Sequence, residues 1–340
     1  MNRIIPGRWQ RLRSNYLIIC CVVTCLALWT NISCVDEKGT DEKSNLALVD
    51  FDKSNTELIL RYYFGAYLPD HEPDAFDGGF VRRIGGNYFV DRDKIRQSPL
   101  LSRLISDGYL EDGALAWDEF TVFIQETYYQ RRNPYPDLDA AYEKLAFHPG
   151  DSSWFQVNVR GVMTTALRRV YVKKAALRAA LGSYLTNGRR LLYPVGTTFI
   201  GEHWVDSSRI ETTVMRKRPD GFWDFFIYGS EGHLAGETIS PPKKLKAPIQ
   251  CFGCHTGRKL FEPEKSFPGI AKDGPHGPRA LYVDDRFRNK EVVAYFDEHR
   301  KRSDMILGIY NTLYVSEMLE KRRKGDLSKE DETLLNNLGF

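Results

Sequence analysis

Past residue 34 this chain is nearly without cysteine: of six in all, only Cys251 and Cys254 remain. Histidine is scarce too, with seven in 340 residues. A structural zinc site wants about four nitrogen or sulfur donors, and the neighbourhood of Cys251 does not supply them. An excess of one charge is also missing. Lys and Arg number 48 against 45 Asp and Glu, a net charge of +3. That balance excludes nucleic acid as a defining partner. There is no internal repeat and no low-complexity tract. What the chain does have is apolar and aromatic weight, 42% and 13% respectively, enough for a well-buried core.

The two late cysteines stand in Cys251-Phe252-Gly253-Cys254-His255. This is CxxCH, the attachment sequence for haem c. Each thiol adds across one vinyl group to make a thioether, and the adjacent imidazole becomes the proximal iron ligand. A thioredoxin-like redox pair is the competing reading, and it expects a βαβ context. The preceding Pro241-Pro-Lys-Lys-Leu-Lys-Ala-Pro248 does not give one. The sequence therefore points to one covalent haem c, held by Cys251, Cys254 and His255.

The N-terminus agrees with that chemistry. Arg3, Arg8, Arg11 and Arg13 precede an apolar run from Leu17 to Trp29. A basic segment before a short apolar one reads as an export signal, shorter than the roughly 20 residues of a full span. Haem c is attached outside the bacterial cytoplasmic membrane, so an exported, periplasmic chain is where CxxCH is used. Ile32-Ser33-Cys34 is similar to the end of a lipobox, which makes Cys34 a lipidation candidate, although Asn31 departs from the usual aliphatic residue. The expected anchor is thus the leader, residues 1–34, or a lipid on Cys34. Cys20, Cys21 and Cys25 lie in the apolar run and behave there as small hydrophobes. Residues 35–55 are polar and read as a tether.

Residues 56–190 read as mostly helical. Leu100, Leu101, Leu104 and Ile105 share a face after Ser98-Pro99, and Phe120, Phe123, Ile124 and Tyr128 recur at helical spacing. Tyr62-Tyr63-Phe64 reads as core. From Thr164 to Tyr184 the pattern predicts a basic amphipathic helix, with Arg168, Arg169, Lys173 and Arg178 among apolar residues. Such a helix suits a solvated face, a membrane surface or an acidic redox partner. The pattern changes at Tyr193. Gly196–Val205, Ile210–Met215 and Phe222–Tyr228 are rich in β-branched and aromatic residues, with a Pro219-Asp220-Gly221 turn between the last two. They predict an antiparallel meander that leads into CxxCH.

These segments carry a family resemblance. Tyr193-Pro-Val-Gly-Thr-Thr-Phe-Ile-Gly-Glu202, Thr213-Val-Met-Arg-Lys217 and Gly221-Phe-Trp-Asp-Phe-Phe-Ile-Tyr228, followed by CxxCH, resemble the haem domain of the cytochrome P-460 and cytochrome c′-beta family. The resemblance covers Tyr193 to His255. It implies an antiparallel β haem domain, here residues 191–285, a homodimer, and an iron whose distal side is open or weakly ligated. It implies either hydroxylamine oxidation, in members with a haem-linked lysine, or binding of small ligands such as NO and CO. Gly201 stands where that lysine would be, which disfavours hydroxylamine oxidation. A distal catalytic carboxylate of the family falls at Glu211. A shift of two residues puts Thr213 there, on the same strand face. Glu211 also reads as a solvent-facing strand residue.

The tail, residues 286–340, reads as helical again. Ser303 begins a helix with Ile306, Ile309, Tyr310, Leu313 and Tyr314 inward and Lys321-Arg-Arg-Lys324 at its end, and Ser328 caps a last helix. Met305, Met318 and His276 are the candidates for a distal iron ligand. The chain is accordingly expected to be α+β. It reads as an exported mono-haem cytochrome that binds a small ligand or does redox chemistry. The alternative is a six-coordinate electron carrier that serves a redox partner protein.

Overall fold

Alternation of buried and exposed residues builds two sheets in the computed structural model. It describes residues 45–51, 56–69, 75–110, 113–160, 166–188, 190–239, 244–256, 282–283 and 305–340. The chain divides into two units between Leu46 and Ala47, and the second, Ala47–Phe340, carries the fold. The leader, Cys34 and most of the expected tether lie outside the described residues. The fold is α+β.

The smaller sheet is interleaved with the first helices. Its strands are β1 (Leu46–Asp50), β2 (Val81–Ile84), β3 (Asn87–Asp91) and β4 (Ala114–Ala116), in the order β2-β3-β1-β4. β1 and β4 run parallel. The end of the expected tether is therefore a strand: Ala47 and Val49 are buried, and only the intervening side chains face outward. The helices here are α1 (Thr56–Tyr67), α2 (Arg92–Gln97), α3 (Arg103–Ser106), α4 (Trp117–Arg132) and α5 (Leu138–Leu145). α4 buries Phe120, Phe123, Ile124 and Tyr128, the stripe expected from spacing. The helix expected after Ser98-Pro99 is only the single turn α3, which still buries Leu104.

Among the described residues the larger sheet has seven strands: β5 (Trp154–Arg160), β6 (Leu167–Lys173), β7 (Thr198–Val205), β8 (Ser208–Lys217), β9 (Trp223–Gly229), β10 (Leu234–Ala235) and β11 (Tyr282–Val283). Their order is β10-β9-β8-β7-β6-β5-β11, and every pairing is antiparallel. β7, β8 and β9 are the expected meander. Gly221, at a φ of +88°, closes the β8–β9 turn in a conformation that side chains disfavour.

Two strands of this sheet come from the region read as helical. Leu167–Lys173 is strand β6, and the helix α6 begins only at Lys174 and runs to Thr186. Val170, Tyr171 and Val172 are all buried between neighbouring strands, where β-branched and aromatic side chains pack well. The basic residues Arg168, Arg169 and Lys173 therefore alternate across a sheet and form no helical stripe. The sheet also starts well before residue 191, so it crosses the expected boundary of the haem domain.

Register sets what each face meets. Phe155, Val172, Phe199, Met215 and Phe225 line up across five strands on one face. On that face lie α7 (Ile249–Thr256) and the tail helix α8 (Met305–Lys324), through Phe225–His255, Phe155–Tyr314 and Phe199–Tyr310 ring contacts. The opposite face carries Glu202, Asp224 and Phe226 and meets α4 and α5. The last helix, α9 (Lys329–Leu338), is capped by Ser328 as expected. Arg178 of α6 donates to both carboxylate oxygens of Asp331, at 2.7 and 3.0 Å, and so ties the tail to α6.

Asp224 is fully buried on β9 and joins helix to sheet. It accepts from Tyr128 at 2.9 Å, from Arg132 at 2.9 and 3.2 Å, and from Arg216 at 3.2 Å. Removing the carboxylate leaves two guanidinium groups without their counter-charge. Asp224→Ala is expected to lose about 3–5 kcal/mol of stability, read as a lower urea midpoint. A change under about 0.5 kcal/mol, the scale of a surface substitution, would contradict this account.

Candidate functional site

The CxxCH segment is helical. Pro248 immediately precedes α7, where a missing N–H leaves no helical hydrogen bond broken. Cys251, Cys254 and His255 fall at i, i+3 and i+4, so the three positions share one helical face. Phe252 lies on another side and holds the helix down. Its ring is 3% exposed and stacks on Tyr62 at 4.0 Å, with Tyr63 edge-on at 5.4 Å. Tyr62 and Tyr63 are thus core, as expected, and they are the core on which the motif rests. Cys251 and His255 remain half-buried.

The His255 ring lies 5.0 Å from that of Phe225. Burial pushes its imidazole down to about 4, and the Arg168 charge acts in the same direction. At neutral pH it is therefore uncharged, with a ring nitrogen lone pair available. That is the state in which histidine ligates a metal.

The sheet face beneath α7 carries a second imidazole. Alternation puts Gly201 and His203 of β7, Glu211, Thr213 and Met215 of β8, and Arg168 of β6 on the same face as Phe225. A register irregularity falls between His203 and Trp204. Bulges of this kind re-aim side chains, and here His203 Nδ1 lies 3.1 Å from Glu211 Oε1. Glu211 Oε2 accepts from the Ile239 amide at 2.5 Å. His203 Nε2 is 3.4 Å from Thr213 Oγ1. Burial, then the charge of Arg168, pushes His203 well below its ordinary value. His203 is 5% exposed and Glu211 0%, whereas Thr213 and Met215 between these groups and Phe225 are only half-buried.

These features fit a haem c. Two cysteine positions and a neutral histidine share a helix face, and the iron needs only that one protein nitrogen on its proximal side. The sheet face that the His255 ring packs against is apolar at Val170, Phe225 and Ile227. The buried Nε of Arg168 and the buried hydroxyl of Tyr63 have no hydrogen-bond partner among the described residues. Both are donors of the kind that carboxylate substituents accept. Among the described residues no group of three or more His, Cys, Asp and Glu is arranged to hold a metal ion. No described helix is long and apolar enough to cross a membrane.

The remaining candidates separate clearly. Glu211 is fully buried and beside His203, so it is not a solvent-facing strand residue. Thr213 shares its face, as the strand period requires. Gly201 pairs with Thr213, and a Cβ there would come 2.8 Å from Thr213 Oγ1. Met318 is 1% exposed within the apolar core around α8. His276, and the side chains of Cys254 and Met305, lie outside the described residues. His203 was missed by sequence reasoning. The available signal was its position two residues from Gly201, on the same strand face. No family model, curated protein or solved structure matches the chain.

Phe252→Ala removes the ring that seats α7 on Tyr62. It is expected to cost about 3–5 kcal/mol and to lower the thermal midpoint of the purified protein. An unchanged midpoint would mean that α7 is held by something else.

Proposed function

We propose that this protein is an exported mono-haem c-type cytochrome, with covalent haem on Cys251 and Cys254 and His255 as proximal ligand. The observation that carries the reading is CxxCH on one helical turn, with its imidazole neutral and packed on a β-sheet face. Haem c bound there would supply an iron centre for electron transfer or for small-ligand binding. The chain's own residues do the rest. Phe252 seats the helix, Phe225 orients the His255 ring, and Arg168 and burial keep that ring unprotonated.

The ligand-binding reading, close to cytochrome P-460 and cytochrome c′-beta, is preferred to the six-coordinate electron carrier. Met318 is committed to the core of α8, which supports removing it from the three candidate distal ligands. Hydroxylamine oxidation is not proposed, because Gly201 stands where the cross-linking lysine would be. Export and anchoring rest on the basic, apolar leader and on Cys34, and a homodimer rests on the resemblance alone.

Two measurements test this. After acid–acetone extraction of protein from a host that matures haem c, the polypeptide should retain the mass of one haem, and Cys251→Ala with Cys254→Ala should abolish that increment. Haem released intact from the wild type would end the proposal. The reduced protein should then show a five-coordinate spectrum that changes on adding CO. A six-coordinate spectrum indifferent to CO, converted to a CO-binding form by Met305→Ala or Met318→Ala, would favour the electron carrier.

A further inference from the structure

We propose that Tyr62 is the residue that returns an electron to the haem when a hydroperoxide oxidises it, with the phenolic proton passing through Tyr128 to Asp224. The inference rests on the haem reading above. It goes beyond that reading by naming an oxidant class and the one tyrosine, of eighteen in the chain, that answers it.

Two sets of ring contacts lead from the CxxCH helix to this phenol. Phe252, inside the motif, stacks on the Tyr62 ring with centroids 4.0 Å apart. Phe225, which meets the His255 ring at 5.0 Å, stands 6.4 Å from Tyr62. Electron exchange weakens steeply with separation, which favours the tyrosines of α1 that touch α7. Tyr63 is the rival, edge-on to Phe252 at 5.4 Å.

Protons decide between the two. An oxidised phenol is a strong acid and persists only as the neutral phenoxyl radical, so its proton must have somewhere to go. Arg218 lies over the Tyr62 ring, 4.9 Å from its centroid, and opposes any positive charge left there. Burial pushes the Tyr62 and Tyr128 phenols above their ordinary value, so both hold their protons until oxidation. The Tyr62 hydroxyl is 3.0 Å from the Trp223 carbonyl oxygen and 3.3 Å from the Tyr128 hydroxyl. Tyr128 in turn donates to Asp224 Oδ1 at 2.9 Å. A backbone carbonyl accepts a hydrogen bond but does not take up the proton, whereas the carboxylate at the end of the second route can. The Tyr63 hydroxyl is buried and has no hydrogen-bond partner among the described residues, so its proton has no exit.

The step balances. The hydroperoxide takes its electrons from the haem and is reduced. Tyr62 gives one electron to the oxidised haem and its O–H proton to Tyr128, and Tyr128 passes its own proton to Asp224. The products are a neutral phenoxyl at Tyr62, an intact phenol at Tyr128 and a carboxylic acid at Asp224. Protonating Asp224 leaves Arg132 and Arg216 without their counter-charge. The radical therefore forms only under a strong oxidant, which a peroxide-oxidised haem is and an ordinary redox partner is not.

The test uses the haem-loaded full chain, its haem established first by the mass increment. The ferric protein is mixed with hydrogen peroxide, frozen at once and examined by electron paramagnetic resonance. The wild type should give a tyrosyl-radical signal. Tyr62→Phe, which keeps the ring stack, should lose it, and so should Tyr128→Phe, which cuts the proton route. Tyr63→Phe should keep it. In the otherwise unaltered chain, a ring-fluorinated tyrosine at position 62, nearly the size of tyrosine, should add fluorine splitting to the signal. A haem-loaded wild type that gives no tyrosyl signal with peroxide overturns the proposal. So does a signal that survives in Tyr62→Phe, or one left unsplit by fluorine at position 62. A wild type that carries no haem at all fails the earlier reading, and this one with it.

Discussion

Asp224 is a carboxylate with no exposed surface, placed on the strand next to the functional face. Stripping water from such a charge costs several kcal/mol, and the chain offsets that with two guanidinium groups and a phenol. The partners come from different elements: Tyr128 and Arg132 from α4, Arg216 from β8. Tyr128 also meets the Tyr62 hydroxyl at 3.3 Å, and Tyr62 donates to the Trp223 carbonyl at 3.0 Å. The α4 helix, the β8–β9 pair and α1 are therefore locked by one connected polar network. Tyr62 in turn carries Phe252 of α7. The position of the CxxCH helix over the sheet depends on a charge pair on the sheet's other side.

The electrostatics of the two faces are opposite in purpose. Behind the sheet, charges are paired and satisfied, as at Asp224 and at Glu202, which accepts from Tyr142, Tyr171 and Trp204. On the α7 side of the sheet, the cation Arg168 acts on the imidazoles of His203 and His255 and helps keep both neutral. Neutral imidazoles retain lone pairs, and lone pairs are what ligation and hydrogen-bond acceptance require. The proposed proximal ligand and the His203 imidazole thus owe their neutrality to burial and to the same cation.

Much of this was legible from local pattern. The meander β7–β8–β9 announced itself through β-branched runs and a Pro-Asp-Gly turn, α4 through a four-residue apolar stripe, and α9 through its Ser328 cap. The segment 167–173 reads as helix because two arginines and a lysine among apolar residues satisfy a helical template as well as a strand one. Neighbouring strands decide it, by burying Val170, Tyr171 and Val172 together. Residues 46–50 read as tether because a short segment with polar neighbours carries too little periodicity to declare a strand.

By itself the sequence determined the chemistry: two thiols and an imidazole at one spacing, which no other part of the chain can supply. It also determined the face that Glu211 and Thr213 share, because a strand's period of two is a local property of the backbone. Only the tertiary structure decided what those residues meet. The pairing of His203 with Glu211 needs two strands in register and an irregularity between them. The place of Arg168 needs a third strand, from a stretch that reads as helix. A protonation state follows from burial and from charges on other elements, and neither is written in the spacing of any one segment.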